Sequence, residues 1–144
     1  MDTGGPVTGF NGTRDSGEFL EANPYGLVPA MTHGELTLYE SQAICQYLAE
    51  LLGGPMSAQN GAERARINMY GLSSIANFEP LFLPMVFSGV NDAAMAKLSP
   101  LLDALNTELE GRSYLIGEGE GRFTVADVMM ASICHWAIRP RYQV

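Results

Sequence analysis

The stretch from Asn23 to Leu52, NPYGLVPAMTHGELTLYESQAICQYLAELL, constrains this chain more than any other. Asn23-Pro24 marks a turn, because the residue before a proline is pushed out of the α region. A short strand is entered through Val28-Pro29, reverses at His33-Gly34 and returns as Leu36 to Tyr39. Glu40-Ser41 forms a polar corner that opens an amphipathic helix with Ile44, Leu48 and Leu51/Leu52 on one face and Tyr47 beside them. That helix stops at Gly53-Gly54-Pro55, a C-cap glycine followed by a proline. A hairpin feeding a helix whose first turn carries Ser is a built-in anion site. The unpaired N–H groups and the positive dipole end favour a carboxylate or phosphate there.

Residues 1 to 17 are rich in Gly, Thr, Asn and Asp without sustained periodicity, and Val7 to Phe10 carries only a weak strand signal. Ser16 is placed to cap a short helix, Gly17 to Ala22. Pro29 inside a strand signal would ordinarily demote that strand. Residues 53 to 61 (GGPMSAQNG) read as a linker, which divides the chain into 1–53 and 62–144. Everything beyond it reads as helical. The pattern predicts one long helix over Ala62 to Phe78, after which Pro80 and Pro84 bend or break the next turn. Asp92 to Glu110 follows, with Leu98, Leu101, Leu102, Leu105 and Leu109 as a stripe. Ser99-Pro100 inside it either kinks that helix or restarts it. The last helix has the strongest start signal. Thr124 caps the N–H of Asp127, whose carboxylate reaches back, and Phe123 is placed to staple onto Val128. Val128 to Trp136 is apolar nearly all round and expects neighbours on every side. Thr124 and Asp127 are therefore read as structural capping residues, with about 1 kcal/mol or more at stake in Asp127.

Composition narrows the function. The chain has 144 residues, enough for one good core or two small dependent ones, and a net charge of −8. That charge argues against nucleic acid and anionic membranes, which want a basic patch. Ile67 to Phe78 and Pro80 to Asn91 are free of Lys and Arg but too short and proline-broken to span a bilayer. Met1-Asp2-Thr3-Gly4-Gly5 has neither the basic nor the apolar run of a secretory leader. Cys45 and Cys134 fall in apolar helical patterns, as reduced core thiols do, and the expectation is a cytoplasmic protein. No metal site is expected, because His33 and His135 lie far apart and lack companions. Cys45 sits among Ala43, Ile44 and Leu48, a core face where thiols are inert. Arg64 and Arg66 read as solvated or paired with Glu63.

The run Asn23-Pro24-x-Gly26-x-Val28-Pro29, then Leu38-x-Glu40-Ser41-x-Ala43-Ile44-x-x-Tyr47-Leu48, resembles the glutathione-binding half of the glutathione S-transferase family. Downstream, Tyr114-Leu115-Ile116-Gly117 followed by Phe123-Thr124-x-Ala126-Asp127 resembles the start of the buried central helix in that family's helical domain. The resemblance implies an α+β fold, a partial thioredoxin-like N-terminal half (short helix, β-hairpin, helix) followed by an all-α C-terminal domain. It further implies a cis Val28-Pro29 bond, with Val28 offering its N–H and C=O to the cysteinyl part of glutathione. Ser41 and the helix N-terminus would hold the γ-glutamyl carboxylate, and Glu40 would pair with or position the glutamyl ammonium. Taken alone, Glu40-Ser41 is read first as a strand-to-helix corner with a routine cap, and only the longer family string reverses that reading. Tyr25 is either an exposed turn residue or a key inserted into a partner subunit, as in some classes of the family.

Family members activate the glutathione thiol with a Tyr, Ser or Cys near the end of the first strand, because the thiolate attacks. Set against the family, the chain reads as shortened at both ends, with that region missing, and no catalytic residue is assigned. Three readings stay open. One is a transferase adding glutathione, a cosubstrate, to an apolar electrophile, as a homodimer and without a cofactor. The others are a non-catalytic interaction module, as elongation factor 1-gamma carries, and an inactive fragment.

Overall fold

A computed structural model describes residues 16–89 and 92–135. The strand signal at Val7 to Phe10 and the helical signal at Trp136 lie outside the described residues. The chain divides into two compact units, Met1–Leu48 and Ala49–Val144, and each is described by itself.

The first unit opens with α1 (Gly17–Ala22), where the Ser16 hydroxyl accepts from the Phe19 N–H at 3.2 Å. Asn23 ends it in extended backbone, its own N–H donating to the Phe19 carbonyl. Asn23 is 3% exposed and also fixes the turn that follows. Its Nδ2 donates to the Leu27 carbonyl and its Oδ1 accepts from the Tyr25 N–H at 3.1 Å. Val28-Pro29 is cis, as the resemblance implied. Strand β1 (Ala30–His33) begins just after that proline, so the missing N–H falls outside the ladder and Pro29 does not demote the strand. Strand β2 (Leu36–Tyr39) pairs antiparallel with it in the register Ala30↔Tyr39, Met31↔Leu38, Thr32↔Thr37 and His33↔Leu36. Helix α2 (Ser41–Leu52) follows at once. His33 Nδ1 and the Tyr47 hydroxyl lie 2.7 Å apart, tying the hairpin's turn to that helix.

In the second unit the segment read as a linker holds a 3₁₀ turn, Gly54–Met56, and then Asn60, whose Oδ1 accepts from the Glu63 N–H at 3.0 Å. Asn60 thereby caps α3 (Gly61–Ser73). The long helix expected to end at Phe78 changes pitch at Ser74–Phe78, a π turn in which the Glu79 N–H reaches back to the Ser74 carbonyl. Helix α4 (Glu79–Ser88) then starts with Pro80 in its first turn and carries Pro84 inside without breaking. The break that the prolines allowed is therefore not seen, and the helical pitch changes just before Pro80 instead. Pro80 sits where its missing N–H has no intrahelical partner to lose, and the wide turn before it takes up the change of register.

Helix α5 (Asp92–Glu108) runs through Pro100, so Ser99 restarts nothing; its hydroxyl donates to the Met95 carbonyl at 3.0 Å. Helix α6 (Val125–Cys134) carries a reciprocal cap. Thr124 Oγ1 accepts from the Ala126 N–H at 3.2 Å, and Asp127 Oδ2 accepts from the Thr124 N–H at 2.7 Å. Asp127 Oδ1 also accepts from the Leu115 N–H at 2.9 Å, so one carboxylate fixes both the helix start and the loop before it. Phe123 meets the ring of Tyr114 edge-on at 5.9 Å. Val125, Ala126, Met129, Met130 and Ile133 are buried with Ile67, Phe78, Phe82, Leu98 and Ile116. Val128, Ala131 and Ser132 are exposed among the described residues, so α6 presents one covered face and one open one. No helix among the described residues is long and apolar enough to cross a membrane.

Candidate functional site

The hairpin register brings the sequence-derived residues to one place. Ala30 faces Tyr39 across the ladder, so Val28-Pro29, entering β1, and Glu40-Ser41, leaving β2, lie at the same open end of the sheet. Glu40 is the corner. Its φ of 74° makes it the described residue other than glycine with left-handed backbone, a conformation that L-residues adopt at a penalty. Its carbonyl accepts from the Ile44 N–H at 3.0 Å, the first bond of the helix. The reversal therefore takes place in one residue, and Ser41 begins α2 with no intervening loop.

Val28 is 51% exposed, and Pro29, Glu40 and Ser41 are exposed as well. A backbone N–H and C=O at Val28, a carboxylate at Glu40, a hydroxyl at Ser41 and the positive end of a helix of 12 residues thus share one open rim. Such a rim suits a ligand carrying a carboxylate and a peptide-like backbone. Tyr25 is 70% exposed and its ring packs edge-on against Tyr39 of the same chain at 5.6 Å. Asn23 organises the turn ahead of this rim. Its sequence signal was the Asn-Pro dipeptide, which explained the end of α1 but not the burial of the amide.

The other candidates take no part. Thr124 and Asp127 are committed to the α6 cap. Burial pushes the Cys45 thiol up from its ordinary range, and the Cys134 thiol likewise, which disfavours the thiolate form. Among the described residues no group of His, Cys, Asp or Glu is placed to hold a metal ion. Arg64 pairs with Glu50 at 3.0 Å instead of Glu63, which is taken by Arg122. Hydrogen bonds from those arginines hold the Glu50 and Glu63 carboxyls below the usual range.

Comparison with known proteins places this geometry. The glutathione S-transferase N-terminal domain model matches residues 7–56, a span that contains the whole rim, and the C-terminal domain model matches residues 88–144. A glutathione S-transferase of Hyoscyamus muticus is 32% identical, the match covering 85% of this chain and 64% of that one. The chain spans somewhat under two thirds of such relatives. A probable elongation factor 1-gamma 2 of Arabidopsis thaliana is 32% identical over 85% of this chain and 31% of its own. Among solved structures, a Bombyx mori glutathione transferase superposes with a TM-score of 0.74 at 28% identity, covering 86% of this chain and 59% of that one. The theta class glutathione S-transferase of Xanthomonas axonopodis pv. citri, solved with glutathione bound, gives 0.73 at 27% identity, covering 94% and 70%. With both of the family's domains matched in order, over more than half of its length, this chain belongs to the glutathione S-transferase family.

Proposed function

We propose that the chain binds glutathione at the open end of its hairpin and serves glutathione transfer to apolar electrophiles. The observation that carries this is the Glu40-Ser41 corner, a left-handed Glu40 that delivers an exposed Ser41 directly onto the start of α2. The γ-glutamyl carboxylate would accept from the Ser41 hydroxyl and the first-turn N–H groups, where the helix dipole favours an anion. The Glu40 carboxylate would face the glutamyl ammonium, and the Val28 N–H and C=O would pair with the cysteinyl backbone. In the reaction the glutathione thiol loses its proton and the thiolate attacks an electrophilic carbon, forming a C–S bond as the leaving group departs or the double bond is saturated. The described residues contribute binding and orientation to this chemistry, and no thiol-activating group is assigned among them. The net charge of −8 supports a small-molecule partner over nucleic acid. A cytoplasmic homodimer is part of the same reading.

A second reading, a non-catalytic interaction module, is favoured by the likeness to the probable elongation factor 1-gamma 2. Titration calorimetry with glutathione, run beside thermal melting, separates the two. The transfer reading expects saturable binding and a raised melting temperature, as for any ligand selective for the native state. Ser41→Ala should weaken that binding by roughly ten- to a hundred-fold, as loss of a hydrogen bond to a charged group would, without lowering the melting temperature of the free protein. Unchanged affinity in this variant would remove Ser41 from the site. A cooperatively melting protein that binds no glutathione would leave the interaction module.

A further inference from the structure

The segment from Gly53 to Asn60 has the composition of a flexible linker, and its 3₁₀ turn contains no buried residue. Beyond the local bonds of Ser57 to the Gly54 carbonyl, most of its polar bonds lead to Arg122 and the Glu63 carboxylate that Arg122 holds. Arg122 donates through Nη1 to the Pro55 carbonyl and through Nη2 to the Ser57 carbonyl at 2.8 Å. The same guanidinium donates through Nε and Nη2 to the two carboxylate oxygens of Glu63. Glu63 Oε2 in turn accepts from the Gln59 N–H at 2.8 Å, and Glu50 Oε1 accepts from the Ala58 N–H at 3.3 Å. The hook is mounted on a rigid post. The Arg122 N–H donates to the carbonyl of Ile116 at 2.7 Å, and Ile116 is 0% exposed. A planar fork satisfies several oxygens at fixed angles, which a lysine ammonium cannot reproduce.

We propose that Arg122 is a latch that holds residues 53–60 in place, and that this segment opens as one local unit when the fork is lost. The fold then carries a strap closed by one guanidinium where the composition alone specifies a loose tether. Local opening of this kind lies below the global unfolding free energy and is read by amide exchange.

The test is hydrogen exchange on the full chain, comparing Arg122→Ala, Arg122→Lys and the unaltered protein. In Arg122→Ala the amides of Ser57, Ala58 and Gln59 should exchange at least about ten-fold faster, with those of Met129 to Ile133 unchanged. Arg122→Lys keeps the charge and loses the fork, and should show most of the same loss. Unaltered exchange at Ser57 to Gln59 in both variants would overturn the proposal. So would acceleration of core and segment together, or failure of both variants to fold, since Arg122 would then belong to the global core. Full protection in Arg122→Lys would also overturn it, because charge alone would suffice.

Discussion

Replacing Asp127 with Ala removes two acceptors at once. Its Oδ2 accepts from the Thr124 N–H at 2.7 Å and its Oδ1 from the Leu115 N–H at 2.9 Å. Thr124 is 0% and Leu115 5% exposed, so neither orphaned donor finds water without local opening. A buried donor left unsatisfied costs about 1–3 kcal/mol, which puts the loss for the pair at roughly 2–6 kcal/mol. Two companions calibrate the reasoning. Asp127→Asn keeps one acceptor oxygen but turns an amide N–H₂ toward the other donor, so its loss should fall between that of Ala and none. Thr124→Ala leaves both backbone N–H bonds to the carboxylate intact and gives up the hydroxyl's own bonds, from the Ala126 N–H and to Asp127 Oδ2, about 1 kcal/mol for an N-cap. Against a native stability on the order of 5–15 kcal/mol, the Asp127→Ala effect should dominate the urea midpoint. The assay is urea unfolding followed by helical circular dichroism, with the slope checked for constancy across the set. A loss within about 0.5 kcal/mol, or no larger than that of Thr124→Ala, would refute the claim that this carboxylate satisfies two buried backbone donors.

Two further outcomes follow from the geometry. Gly121 has φ +75°, and a Cβ built on it would stand 2.6 Å from the Tyr114 carbonyl oxygen and 2.8 Å from that of Ile116. Gly34 has φ +60° with nothing within 4 Å. Gly34→Ala should thus lose only the left-handed penalty, about 1–2 kcal/mol, while Gly121→Ala loses more because backbone must move; equal urea midpoints would exclude the close approach. The pH dependence of the Arg122–Glu63 pair has a definite sign. Hydrogen bonding from Arg122 holds the Glu63 carboxyl below the usual carboxylate range, so the pair's stabilisation is fully present above the pKa of the unfolded chain. It is lost as pH falls through the lowered folded value. The difference in urea midpoint between Arg122→Gln and the unaltered protein should therefore be largest near neutrality and shrink as pH falls below the ordinary carboxylate range; a difference independent of pH would contradict the pairing.

Much of the site was legible because its signals are local. The Ser16 cap, the hairpin turn, the Glu40-Ser41 corner and the Thr124–Asp127 box each act over a few residues, and the chain carries them in order. The prolines show where local reading stops. Pro80 and Pro84 were expected to bend or break the next turn; of these the break is excluded, since a π turn precedes Pro80 and α4 runs on through Pro84. Arg64 was expected to be solvated or paired with Glu63; it is largely exposed, and its partner is Glu50 on the preceding helix. Asn23 was visible as a helix stop, while the burial of its amide was not, since burial depends on what packs over it.

By itself, then, the sequence determined the element order, the Ser16 and Thr124–Asp127 caps, the hairpin-to-helix corner and the family, all of which rest on backbone preferences and side-chain bonds within about a turn of helix. Only the tertiary structure decided that Val28-Pro29 and Glu40-Ser41 share one rim, because strand register, not sequence distance, sets them at the same end of the hairpin. It also decided the partners of Arg122, which lie 59 to 67 residues away. A guanidinium chooses among carboxylates and carbonyls by where the folded backbone places them, and no local pattern carries that information.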